Sequence, residues 1–192
     1  MSEVAARGRR RGLRHPAQVV SALFAIGAVL STAALLLPIS RIGPGRASFF
    51  EALFTATSAI STTGLVTIDM STHWTAFGEA VILLTMQVGG IGIMTLGSFL
   101  ALLVARRLGL RARLNTAGES NTVRNGDVRE LLWGIVKYTL ALEACVAIVV
   151  GLRLFGAYDE PLGRALYLGV FHSVSAFTNT GFALYSDSLM SF

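Results

Sequence analysis

Long runs without a charged residue alternate with short polar stretches along this chain, and the runs come in two lengths. Residues 17–40 carry no charge until Arg41. As a helix they would reach about 36 Å, enough to cross a bilayer with some tilt. Pro16 stands where a first-turn proline is tolerated, and Pro38 with Gly43, Pro44 and Gly45 ends the element. Residues 80–105 are again uncharged. They open after Glu79, favourable at a helix N-terminus, and close on Arg106 and Arg107, favourable at a C-terminus. A third span, 131–152, is weakened by Lys137 and Glu143. Between these spans lie two shorter apolar runs, 47–60 and 162–177. The first reaches only about 21 Å as a helix, too short to cross. Each is followed by a polar stretch with a glycine: Ser61, Thr62, Thr63, Gly64 and then Thr178, Asn179, Thr180, Gly181. A short helix followed by non-helical backbone predicts a re-entrant element. Such backbone is tolerated at membrane depth only where protein buries it or it lines a watery cavity.

Composition sharpens this pattern. Of the 192 residues 53% are apolar and 14% charged, with a mean hydropathy of +0.64; soluble domains are about 25% charged. This excludes a disordered chain and weighs against an ordinary soluble enzyme. The net charge of +5 flanks apolar runs, which reads as membrane topology and not as a nucleic-acid face. Residues 1–15 hold a cluster of arginines from Arg7 to Arg14, and the polar stretch 107–129 holds Arg107, Arg111, Arg113, Arg124 and Arg129. The opposite side has Arg41, Arg46, Arg153 and Arg164. The N-terminus and the linker 107–129 are therefore expected in the cytoplasm, with room in the linker for a short surface helix. Both short helices then dip in from outside. The Arg-rich lead is no cleavable signal peptide, because the apolar segment after it is too long and no small-residue cleavage site follows. With Cys145 the single cysteine, neither an intrachain disulfide nor a thiolate metal cluster can form.

The two short runs repeat. Placing Gly64 over Gly181, 117 positions on, brings Phe54 onto Phe171, Ser58 onto Ser175, Ala59 onto Ala176 and Thr63 onto Thr180. The unit is span, short helix, polar stretch with glycine, span. It covers 16–106 once, and 130–192 begin it again without the closing span. A potassium ion entering a narrow pore must shed water, and backbone carbonyls with hydroxyls can replace its hydration shell without a fixed charge. Carbonyls point at an axis only where the backbone leaves helical geometry, which glycine permits. A short helix entering from outside also aims its partially negative C-terminus inward, favouring a cation.

These segments resemble the selectivity loops of the Trk/Ktr/HKT potassium transporters, and in particular their KtrB-like membrane subunits. The matching stretches are 54–66, the Gln87-Val88-Gly89-Gly90-Ile91-Gly92 run within 87–95, and 175–183. The resemblance covers nearly everything from Pro16 onward. It implies an all-α membrane protein whose pore is built from four such units around a pseudo-fourfold axis, in a homodimer within the cell membrane. A cytosolic ring of nucleotide-binding, KtrA-like or TrkA-like subunits would dock on the basic side. Gly64 and Gly181 become the filter glycines; Ser61, Thr62, Thr63, Thr178, Asn179 and Thr180 become the flanking oxygen donors. Potassium is the transported ion, with sodium as a possible coupling ion, and no cofactor is bound. Family members are longer. The third and fourth units and their gating loop are not in this sequence, which therefore reads as an N-terminal fragment. A sodium-permeable or TrkH-like transporter, and a non-conducting truncated subunit, remain as alternatives.

Other polar residues read as structural. Thr55, Thr57 and Ser58 are expected to bond back to their own helix, Lys137 to snorkel, and Glu143 to accept bonds inside the bundle. Cys145 reads as a small buried residue. His73 is expected in a surface loop, His172 in packing, and Trp74 and Trp133 at the interfaces. A membrane-embedded enzyme would need a His/Asp/Glu constellation that is not there, and Gly90-Ile91-Gly92 lacks the strand and third glycine of a dinucleotide loop.

Overall fold

A computed structural model describes residues 16–113, 125–158, 160–188 and 190. The described residues are mostly helical. Its helices are α1 (Pro16–Leu35), α2 (Phe49–Ile60), α3 (Met70–His73), α4 (Ala76–Arg113), α5 (Asn125–Ala157) and α6 (Leu162–Phe177). No strand occurs among the described residues, apart from one isolated bridge. The short helices stand where the apolar runs end: α2 starts behind Ser48, whose backbone N–H donates to Glu51 Oε2 at 2.8 Å, and α6 spans the expected 162–177. Helical backbone intrudes on the polar linker from both sides. α4 continues past Arg107 to Arg113, through Leu, Ala and Arg, which are good helix formers, and α5 already begins at Asn125; no proline interrupts either stretch. The basic lead 1–15 and linker residues 114–124, expected in the cytoplasm, lie outside the described residues.

Two segments, Ala76–Ser98 and Leu132–Ala157, are long and apolar enough to cross a membrane, and only 28% and 22% of them are buried inside the protein. The core helix of a soluble protein would be buried all round. Here Leu84, Val88, Leu140, Ile148, Val149 and Leu152 face outward, as do Val29 and Leu30 on α1. An outward apolar surface of this extent suits a membrane-crossing bundle, and the described residues form an all-α assembly. The same logic corrects the reading of Cys145, which is exposed: on a lipid-facing helix, apolar character does not require burial in protein.

α1, α2 and α4 pack on one another, α5 pairs with α6, and α4 touches both groups. Small residues bring the helices close. A Cβ at Gly169 of α6 would lie 2.5 Å from the Ala147 carbonyl oxygen of α5. Glu143 accepts a 2.8 Å hydrogen bond from Gln87 Nε2 across α5 and α4, so it does engage the bundle.

A clasp ties the end of α1 to the start of α4. Ile42 N–H donates to the His73 carbonyl at 2.9 Å and Thr75 N–H to the Ser40 carbonyl at 3.0 Å, around the bridge between Arg41 and Trp74. The Thr75 hydroxyl adds a bond to the Ile39 carbonyl at 2.6 Å. Trp74 is the largest fully buried side chain among the described residues, 1% exposed, so it anchors this clasp; Trp133 is exposed. His73 is also drawn in, edge-on to Trp74 and 3.8 Å from Glu51. Desolvation holds its pKa below the ordinary histidine value; Glu51 opposes that shift and Arg41 adds to it.

Candidate functional site: two matched loops at helix ends

Both short helices end in the same way. At the end of α2, Thr63 N–H donates to the Ser58 carbonyl at 2.9 Å and Thr62 N–H to the Ala59 carbonyl at 3.1 Å. At the end of α6, Thr180 N–H donates to Ser175 at 2.9 Å and Asn179 N–H to Ala176 at 3.1 Å. This nested pair of bonds is the Schellman ending, which needs a left-handed residue just past the helix. Thr62 (φ 51°) and Asn179 (φ 57°) occupy that position. Asparagine tolerates it; a β-branched threonine does so only under strain, at a cost of about 1–3 kcal/mol. Two residues later Gly64 (φ 74°) and Gly181 (φ 80°) again take positive φ, which a side chain would disfavour.

The side chains repeat as well. The Ser61 hydroxyl reaches the Thr57 carbonyl at 2.7 Å and pairs with Thr63 Oγ1 at 2.6 Å. The Thr178 hydroxyl reaches the Val174 carbonyl at 2.8 Å and pairs with Thr180 Oγ1 at 2.8 Å. Ser58 donates to the Leu65 carbonyl at 2.9 Å, and Ser175 to the Phe182 carbonyl at 2.7 Å. Here the expectation for Ser58 changes. Its hydroxyl does not bond back to its own helix; it reaches forward past the glycine and fixes the carbonyl beyond it. Each such bond contributes about 1 kcal/mol. The signal in the sequence was the Ser58–Ser175 match itself, which shared spacing with the glycines.

The two loops meet. A Cβ at Gly64 would lie 1.5 Å from the Thr180 carbonyl oxygen, whereas one at Gly181 would find nothing within 4 Å. Their surroundings also differ: Thr178, Thr180 and Phe182 are buried, while Ser61, Thr63 and Leu65 are exposed. Behind the loops stand the glycines of α4. A Cβ at Gly89 would fall 2.1 Å from the Ile60 carbonyl oxygen, and one at Gly90 would fall 2.5 Å from Thr178 Cγ2. Adjacent glycines on one helix thus receive the end of α2 and the start of the second loop. Neighbouring Gly92 faces Phe24. In front, a cavity of about 330 Å³ is lined by Gly64, Thr67, Asp69, Gly181, Phe182 and Tyr185. His172 packs as expected: Nδ1 donates to the Leu168 carbonyl at 2.8 Å and Nε2 accepts from Leu184 N–H at 3.3 Å, pinning the segment that follows the second glycine.

The two helix ends thus carry matched sets of hydroxyls, carbonyls and positive-φ glycines. Residues 6–192 match the TrkH family, described as cation transport protein, and the chain belongs to that family. It is 34% identical over 177 residues to a Ktr system potassium uptake protein B of Bacillus subtilis, covering 92% of this chain and 39% of that relative. It is 38% identical over 164 residues to a protein of the same description from Vibrio alginolyticus, covering 85% of this chain and 36% of the relative. A potassium/sodium uptake protein, NtpJ of Enterococcus hirae, is 28% identical over 175 residues, covering 91% and 38%. The chain therefore spans less than two-fifths of the length of these relatives.

Proposed function

We propose that this chain forms part of the membrane subunit of a Trk/Ktr-type system that takes up potassium through a pore whose selectivity loops are 61–64 and 178–181. The observation that carries this reading is the duplicated loop geometry: two left-handed residues, two positive-φ glycines and two serine-to-carbonyl bonds, each pair 117 positions apart. Ser61, Thr62, Thr63, Gly64 and Thr178, Asn179, Thr180, Gly181 present carbonyl and hydroxyl oxygens that substitute for ion hydration without a fixed charge. The C-terminal carbonyl ends of α2 and α6 add partial negative charge at the loops. The unit of span, re-entrant helix and span covers 16–106 and resumes at 130–192, with 107–129 as a linker. The names of the Ktr relatives describe potassium uptake within a system, which supports a multi-component assembly; a homodimer working with a cytosolic nucleotide-binding ring is part of the proposal. The potassium/sodium uptake relative favours sodium as the competing ion.

Rubidium uptake tests this in a potassium-transport-deficient strain. The chain is expressed alone and joined to the remaining length of a KtrB-like relative. Uptake is expected from the joined subunit and not from the 192 residues alone, since two loops supply half of a fourfold ring. Sodium current through the joined subunit would favour the sodium-permeable reading, and no flux with correct membrane insertion would overturn the proposal.

The arginine distribution supports a cytoplasmic N-terminus in the cell membrane. In a Cys145→Ser background, which removes the exposed native thiol, a cysteine at Thr72 is expected to react with an impermeant reagent added outside. One at Ser120 is expected to stay protected until the membrane is opened. The reverse pattern inverts the topology.

A further inference from the structure

Glu143 lies within a membrane-crossing helix and is 5% exposed. Three helices meet at it. Gln87 of α4 donates through Nε2 to Glu143 Oε2, and the Ser173 hydroxyl of α6 donates to the Glu143 backbone carbonyl at 2.7 Å. One oxygen on each member of the pair remains, Glu143 Oε1 and Gln87 Oε1, and both are buried without a hydrogen-bond partner. An amide carbonyl and an ionised carboxylate are acceptors only, so an ionised pair has no donor for either orphan. The titratable groups of the packed helices do not supply one. On α6, Arg164 is paired with Glu160, and His172 uses both ring nitrogens on backbone groups. On α4, Glu79 accepts from Tyr167. On α5 itself, Lys137 lies nearly two turns away. No ion pair to Glu143 occurs among the described residues. A lone carboxylate there would be strongly disfavoured by the loss of its hydration.

One proton resolves both orphans. We propose that Glu143 is held as the neutral acid, its Oε1–H donating to Gln87 Oε1, so that acid and amide close into a ring of two hydrogen bonds between α5 and α4. The proton comes from solvent during folding, and the acid gives up no charge to lipid. Gln87 sits one residue-pair ahead of Gly89, whose backbone abuts the end of α2. The ring therefore fixes the rotation of the helix that backs both loops. A bound cation would ask for a fuller shell of oxygens, and no group of three or more His, Cys, Asp or Glu is placed to hold a metal among the described residues.

Infrared difference spectroscopy on the chain in lipid nanodiscs at neutral pH tests the assignment without requiring transport. A deuterium-sensitive stretch of a protonated carboxyl is expected in the native chain. Glu143→Gln should remove it, and Glu160→Gln should leave it. Because an amide reproduces the donor and acceptor of the neutral acid, Glu143→Gln should melt within about 2 °C of the native chain, while Glu143→Ala, which strands Gln87, should fall by several degrees. Three results overturn the proposal: a band present only as ionised carboxylate, a protonated band that sodium or potassium converts to carboxylate, or failure of Glu143→Gln to fold.

Discussion

Replacing Gly64 by alanine is expected to abolish ion uptake, while the same change at Gly181 leaves a measurable fraction. Both residues have positive φ, so each alanine carries the left-handed penalty of about 1–2 kcal/mol. Only at Gly64 does the new methyl also meet backbone: it would sit 1.5 Å from the Thr180 carbonyl oxygen. That carbonyl belongs to the second loop and has no rotamer by which to withdraw, so one substitution deforms both loops. Gly97 supplies the control. Nothing lies within 4 Å of a Cβ there, and alanine in a helix interior is favoured over glycine by up to about 1 kcal/mol. Uptake and melting temperature of the three variants, measured in the joined subunit, should rank Gly97, then Gly181, then Gly64 from least to most damaged. Equal losses at all three would remove the loops from the ion path.

The second large effect is expected at Gly89. Its Cβ would fall 2.1 Å from the Ile60 oxygen and 2.8 Å from the Ile60 carbonyl carbon, so alanine must push α2 bodily off α4. At Gly90 the obstacle is the Thr178 methyl at 2.5 Å. That methyl cannot swing away cheaply, because the Thr178 hydroxyl is committed to Val174 and Thr180. At Gly92 the obstacle is the edge of the Phe24 ring at 3.2 Å, which can tilt. Thermal melting in nanodiscs should therefore show Gly89→Ala the most destabilised, by more than about 3 kcal/mol as for other substitutions that force a packed core apart. Gly90→Ala should be intermediate and Gly92→Ala near native. Gly92→Ala as damaging as Gly89→Ala would show that α4 packs in another register.

What could be read from the chain alone was local or periodic. The lengths of the runs 47–60 and 162–177 gave away two helices too short to cross, and the matched residues around Gly64 and Gly181 announced equivalent loops before any geometry was known. The missed features join distant segments. The Ser58–Ser175 match marked the position but not the partner, because a serine in a helix bonds backward by default and nothing local sends its hydroxyl forward to Leu65. Trp74 reads as interfacial from its place beside a span; its burial in the protein depends on the distant Arg41 bridge and the close approach of Gly78. The Gln87–Glu143 pair spans two helices far apart in sequence, and its partner could not be chosen from α5 alone. Cys145 was misplaced because lipid makes the outside of a bundle as apolar as the inside.

The seating of α2 on Gly89 has a consequence in time. At about 5–20 residues per second of synthesis, Ile60 exists for some seconds before Gly89 has been made. During that interval α2, capped by its own Ser48 and Glu51, can be helical but has no surface to dock on. All residues of the clasp between 40–42 and 73–75 have been made before Gly89. The clasp can tether the nascent excursion beside α1 while the polar loop still lacks a wall. The residues that tie the excursion beside α1 thus precede, in chain order, the glycine that shelters a loop unable to face hydrocarbon unaccompanied.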